Sequence, residues 1–251
     1  TALVCAAKEG RTKCVQLLVA AKADLEVRDN RRWTPLIWAS EENEVECLQR
    51  LIDARASVNA SCDVQQTALI RAALRGHAEC VQRLITANAD ANIRDECDAN
   101  ALIKAASEGH AECVSLLVPL TADLEITDWE GNTALHLAAW NGRAGCLQLL
   151  IAAGANVEGN DPNYGTPLIW AACEGQIETV QQLLEARANI EATSRHGSTA
   201  LMMAAENRQS QCMSLLITAN ANIHATNDDG NNALIVAATA GHVEGMRLLL
   251  N

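Results

Sequence analysis

Thr133-Ala134-Leu135-His136-Leu137-Ala138-Ala139, with Gly142 three residues beyond, is the stretch from which the rest of the chain can be read. Ala134, Leu135, Ala138 and Ala139 fall at i, i+1, i+4 and i+5, which gathers one apolar stripe on a short helix. Thr133 suits the N-cap, because its hydroxyl can accept from an early helical amide. Asn141-Gly142 stops the helix, glycine taking the left-handed terminal position without steric cost. Cys146, Leu147, Leu150 and Ile151 repeat the same spacing and predict a second helix, closed by Gly154-Ala155. A polar turn over 156–165 then leads to the next threonine, Thr166.

Outward from this stretch, the chain repeats itself every 33 residues without a slip. One leucine column runs Leu3, Leu36, Leu69, Leu102, Leu135, Leu168, Leu201 and Leu234. A second runs Leu18, Leu51, Leu84, Leu117, Leu150, Leu183, Leu216 and Leu249. Alanine holds a third: Ala6, Ala39, Ala72, Ala105, Ala138, Ala171, Ala204 and Ala237. A fixed period of this length marks a stacked array. The expected organisation is one array over 1–251, with blocks 1–33, 34–66, 67–99, 100–132, 133–165, 166–198, 199–231 and a partial 232–251. Helices this short are unstable alone, so stability must come from stacking on neighbours.

The net charge of −12 argues against a nucleic-acid partner, for which a basic face normally supplies affinity. The charge is uneven: the first block carries a net +3 and the fourth a net −5, an asymmetry able to orient a partner. No apolar run is long enough to insert into a membrane in this segment. The chain starts inside the repeat pattern and ends at Asn251, where a second helix should still be running. Arrays need polar terminal caps, so the expectation is a monomeric segment of a longer chain.

Ten cysteines raise the question of disulfides or metal. Cys14, Cys47, Cys80, Cys113, Cys146 and Cys212 share one column, with Thr179 and Gly245 in the remaining blocks. Equivalent points on stacked helices lie about 8–10 Å apart, beyond the roughly 7 Å a disulfide spans between Cα atoms. They are read as small core residues, and free thiols in this number point to an intracellular, cytoplasmic location. No zinc spacing, phosphate loop or nucleophile motif is present, so neither enzyme activity nor a cofactor is expected. His77, His110 and His242 each follow a helix-breaking glycine at one repeat position, which ties them to architecture.

Thr133 to Ala139 with Gly142 resembles the signature of the ankyrin repeat. Gly76-His77-Ala78-Glu79-Cys80-Val81 and Gly109-His110-Ala111-Glu112-Cys113-Val114 resemble its second-helix opening. The resemblance covers the whole chain and implies an all-α solenoid of helix-turn-helix units with protruding β-turn fingers. It also implies a protein-binding scaffold whose partner lies in the concave groove. A spacer or recruiting arm of a larger enzyme or channel is the alternative, and a small-molecule or nucleic-acid binder a more distant one. Departures bear on local stability. Only Pro35 and Pro167 keep the family's Thr-Pro-Leu, and only His136 keeps its histidine; Val4, Ile37, Ile70, Ile103, Ile169, Met202 and Ile235 replace the polar tie by apolar contact. The glycine closing the second helix survives only at Gly154, with Lys22, Arg55, Asn88, Thr121, Arg187 and Asn220 elsewhere. Pro119 is read as an early helix end, a hinge between blocks four and five being the alternative.

The aromatic residues stand in columns that other blocks fill with polar or charged groups. Trp33 aligns with Gln66, Asn132 and Ser198; Trp129 with Asp63, Glu96 and Asp228; Trp140 with Lys8, Glu41 and Glu206. Trp38 and Trp170 align with Arg71 and Lys104, and Tyr164 with Arg32, Gln65 and Asp98. Unpaired buried charge is costly, so these columns are expected to be partly exposed. By the resemblance they are finger and groove positions. Trp129, Trp140, Tyr164 and Trp170 then form one candidate partner-binding patch. Trp33, Trp38, Arg31 and Arg32, with Arg71 and Lys104 of the Trp38 column, form a second, more basic one.

Overall fold

Each block folds as two antiparallel helices, the first preceded by a threonine or asparagine at its N-cap, the second in blocks one to seven starting without a side-chain cap. A computed structural model describes residues 1–159 and 165–250. Two compact units are present, Thr1–Asp123 and Leu124–Asn251. The first contains α1 (Ala2–Lys8), α2 (Thr12–Ala20), α3 (Pro35–Glu41), α4 (Val45–Asp53), α5 (Ala68–Arg75), α6 (Ala78–Thr86), α7 (Ala101–Glu108) and α8 (Ala111–Leu117). The second contains α9 (Ala134–Trp140), α10 (Ala144–Ala152), α11 (Pro167–Cys173), α12 (Ile177–Glu185), α13 (Ala200–Glu206), α14 (Ser210–Thr218), α15 (Ala233–Thr239) and α16 (Val243–Leu250). Among the described residues there is no strand, only the isolated bridges Ser61–Thr67 and Thr193–Thr199. The fold is an all-α repeat solenoid.

Caps set the helix starts. Thr34, Thr67, Asn100, Thr199 and Asn232 each accept from the amide three residues on, at 2.9–3.4 Å. At Thr133 the cap is reciprocal, because His136 Nδ1 also accepts from the Thr133 amide. His136 Nε2 reaches the Gly159 carbonyl at 3.0 Å, tying helix to finger. Where Ile37, Ile70, Ile103, Ile169 and Met202 stand in that column, they are at most 2% exposed. Apolar contact replaces the histidine tie at these positions and at Val4, but not at Ile235, which is 45% exposed.

Within each unit the first helices pack in a row (α1–α3–α5–α7, α9–α11–α13–α15) and the second helices in another. Both leucine columns sit between the rows. Leu36, Leu51, Leu69, Leu84, Leu102, Leu117, Leu135 and Leu150 are essentially inaccessible, each worth about 1.5–3 kcal/mol of transfer free energy. Two side-chain ladders tie block to block. In the first, Glu26, Asn59, Glu125, Glu158 and Glu191 accept from the backbone amides of Ser57, Asp90, Asn156, Asn189 and Asn222 at 2.6–2.9 Å. In the second, side chains opening the later helix meet carbonyls of the preceding block: His77 to Glu41 O, His110 to Leu74 O and Gln176 to Trp140 O, at 3.0–3.1 Å. Gly76 and Gly142 have positive φ, with the His110 ring or Gln176 amide where a Cβ would stand, although Asn43 and Arg208 hold the same left-handed position in their blocks.

The cysteine column is buried at Cys47, Cys80, Cys113, Cys146 and Cys212, and all ten thiols are free. Burial pushes the Cys80 thiol up to about 12 and those of Cys146 and Cys212 to about 11, which makes them unreactive packing groups. Cys14 departs from the expectation: it is exposed, because α2 has only α1 and α4 against it.

Pro119 ends its helix early. α8 has seven residues against nine in α6, and Val118–Leu120 forms a single 3-10 turn. In consequence Thr121 has φ −83°, whereas Lys22, Arg55, Asn88, Arg187 and Asn220 in its column have φ of 57–69°. Holding a side chain in that left-handed region costs about 1–2 kcal/mol, partly offset by a less flexible unfolded chain. Arg187→Gly at this exposed site should therefore stabilise by about 0.5–1 kcal/mol and raise Tm by about 2 °C. An unchanged or lowered Tm in thermal unfolding would show that this column is not strained.

Candidate interaction surfaces

In the first unit, finger turns and first helices build a packed polar and aromatic cluster. Each finger is closed by its own chain: Asp29 Oδ1 accepts from the Arg31 and Trp33 amides at 2.9 Å, and Asp95 Oδ1 from those of Cys97 and Ala99 at 3.0 and 3.1 Å. The second carboxylate oxygen faces the first helix of the following block. Asp29 Oδ2 accepts from Trp38 Nε1 at 2.8 Å, while Asp95 Oδ2 pairs with Lys104 Nζ at 3.0 Å and accepts from Gln66 at 3.1 Å. Trp33 and Trp38 pack with centroids 4.6 Å apart. Lys8 Nζ lies 4.4 Å from the Trp38 ring and the Arg71 guanidinium 4.6 Å from that of Trp33. Arg71 and Arg75 both pair with Glu41 at 2.7 Å.

These contacts hold the carboxylates ionised. Burial pushes Glu41 up, but hydrogen bonds and charge from Arg75 and Arg71 outweigh it and hold the group below its ordinary value. Burial likewise raises Asp95, and Gln66, Lys104 and the Ala99 amide reverse the shift. Asp29 is lowered by the Trp33 amide, Trp38 and the Arg31 amide against a burial contribution of opposite sign.

The expectation that the aromatic columns are partly exposed holds at Trp129 and Trp140 but is corrected at Trp33, Trp38 and Trp170. Trp33, Trp38 and Trp170 are 7%, 8% and 4% exposed. A column that accepts arginine or lysine is not thereby a surface column, because Arg71 and Lys104 are themselves largely buried beside Glu41 and Asp95. Of the second candidate patch, Arg31 and Arg32 remain open to solvent, Arg32 pairing with Asp63 at 3.1 Å. Trp33, Trp38, Arg71 and Lys104 are engaged internally.

The second unit differs at the same positions. Trp140, half-buried, packs on Trp170 with centroids 3.8 Å apart and planes tilted by 44°. Both line a cleft of about 690 Å³ between the fingers and the first helices. Its walls include Arg195 and His196 of one finger, Met203 and Glu206 of α13, and Glu130 and Asp229 of neighbouring fingers. Trp140 and Trp170 also border a smaller, mostly apolar hollow of about 120 Å³ against Ile169, Cys173 and Met203. The structure thus brings together two members of the first candidate patch. Trp129 is 70% exposed and lies outside the cleft lining; Tyr164 lies outside the described residues. Arg195, His196, Met203, Glu206 and Asp229 were not among the site candidates that the sequence put forward. The available signal was the small Ser198, which lines the cleft in the column that Trp33 and Gln66 fill in the first unit.

Among the described residues no group of His, Cys, Asp and Glu could hold a metal ion, and no helix is long and apolar enough to cross a membrane. The repeating helix pairs, capped alike and tied by the same ladders, define a repeat protein that presents its fingers and first helices. The sequence profile described as ankyrin repeats (3 copies) matches residues 1–62, 69–161, 125–195 and 168–251, and the chain belongs to the ankyrin repeat family. Its fold is similar to that of the human ASB11 ankyrin repeat domain, at 27% identity and a TM-score of 0.80, over 87% of this chain and 97% of that one. No curated protein matches the sequence. Ankyrin repeats are generally protein-protein interaction modules and typically non-catalytic. With 554 solved chains matching, the fold itself singles out no partner.

Proposed function

We propose that the chain is a protein-binding scaffold whose partner seats in the cleft of the second unit, with Trp140 and Trp170 as its aromatic floor. The observation that carries this reading is the contrast between the units: one fills its finger-helix columns with its own side chains, while among the described residues the other leaves about 690 Å³ over a tryptophan pair. Paired aromatic rings at the base of a polar-rimmed concavity are favoured binding anchors, giving large contact area for little conformational entropy. The ten free thiols fit work in a reducing, intracellular compartment.

Selection of a displayed peptide library on the folded chain tests the reading. Selected peptides should protect amides over 194–206 in hydrogen exchange. They should lose at least about tenfold in affinity on Trp140→Ala. Trp140 is the right residue to remove, since deleting the more buried Trp170 would also cost fold stability. Binders that protect only the first unit, or that ignore Trp140→Ala, would sink the proposal.

A further inference from the structure

The first unit contains a filled version of the open site, and the comparison indicates what the open one takes. Glu41 and Glu206 occupy one column, each at the last position of its first helix. Glu41 is met from the next block by Arg71 and Arg75, both at 2.7 Å. The residues at those two places in the block after Glu206 are Val236 and Ala240. The carboxylate is kept and its guanidinium partners are gone. A hollow of about 350 Å³, lined by Glu206, Val236, Ala240 and Asp229 among others, adjoins the tryptophan cleft at that point. A second substitution has the same sense. Lys8 lies over Trp38 in the first unit; four blocks on, the same two positions hold Trp140 and Trp170. An ammonium on a ring has become a second ring, which enlarges the π surface beside the hollow. The charge of the cleft agrees, with the carboxylates Glu130, Glu206 and Asp229 facing one guanidinium, Arg195.

We infer that the hollow between Glu206, Val236 and Ala240 receives an arginine side chain of the partner polypeptide, its guanidinium paired with Glu206 and its neighbouring residues lying over Trp140. Arginine suits the site better than lysine, because a planar fork can pair with a carboxylate and lie against apolar or aromatic surface at once, as Arg71 does between Glu41 and Trp33. An acidic or phosphorylated segment would meet three carboxylates. This deepens the proposed protein-binding reading and rests on it.

The test uses the whole chain and two synthetic peptides, taken from the library selection, that differ only by arginine or its uncharged isostere citrulline. The arginine peptide should shift the indole N–H resonances of Trp140 and Trp170 and bind at least about tenfold more tightly than the citrulline one. Glu206→Gln should remove most of that difference while leaving the unfolding midpoint unchanged, since the side chain is exposed. Val236→Arg should restore the first unit's pairing within the chain and so exclude the peptide while raising stability. Selected peptides that seat over Trp140 but bind equally with citrulline, or that carry no arginine, would overturn the inference and leave the groove reading standing. Peptides that perturb neither indole would overturn both.

Discussion

Asp95→Ala should destabilise the first unit by about 3–5 kcal/mol, a large part of the total stability of an ordinary domain. The side chain is wholly buried, and all four of its interactions are lost together. Two of them, from the Cys97 and Ala99 amides, hold the finger; the other two join it to Gln66 of the preceding block and to Lys104, which is only 20% exposed. Lys104 would be left as a charge without its partner. Asp95→Asn keeps an acceptor for the two amides and should cost less than half as much. Denaturant unfolding of the three chains checks the order, and a loss below about 1 kcal/mol for alanine would contradict the account. The same carboxylates predict an acid limit. Asp29, Glu41 and Asp95 all have folded values below their unfolded ones, so between the two the unfolded chain binds more protons. Their contribution is complete above the unfolded values of about 4 and is lost as pH falls through the folded values. Stability should decline below about pH 4, and less steeply in Asp95→Asn.

Trp38→Ala is the second large effect, about 3–5 kcal/mol, and it acts on the fold rather than on a binding face. The ring is enclosed by Trp33 and Lys8, and its indole donates to Asp29. Removing it opens a cavity and withdraws one of the hydrogen bonds that keep Asp29 ionised. Trp38→Phe preserves most of the packing and should cost about 1 kcal/mol, the contribution of the indole donor. A Trp38→Ala chain with unchanged unfolding that had lost a partner would reverse the assignment and restore Trp38 as a contact residue.

Most of the fold was legible because its determinants are local and periodic. Thr133, Gly142 and the leucine columns each report a cap, a left-handed stop or a buried face that needs no distant information. The candidate site was legible only in part. The sequence brought out Trp140 and Trp170, but it also put forward Trp33 and Trp38, which are internal. The reason is that charge in a repeat column was equated with exposure, whereas Arg71 and Lys104 are buried with carboxylates supplied from another block and from a finger. Pairing across blocks is invisible along one column. Nor could the cleft and its adjoining hollow be seen, since they are bordered by small residues such as Ser198, Val236 and Ala240, and a small residue carries little signal by itself.

The ladder of Glu26, Asn59, Glu125, Glu158 and Glu191 makes the two faces of a block chemically unlike. One face offers side-chain oxygens and the other offers the amides that receive them, always in the same direction along the chain. Two blocks brought together by their oxygen-bearing faces would set acceptor against acceptor, carboxylates among them, and leave every donor unused. Only head-to-tail contact satisfies both sets. Such a contact is heterologous, and a two-fold axis through that face cannot supply it. The ladder that stacks the blocks therefore also acts as a directional code, which admits continuation of the array and rejects its mirror pairing.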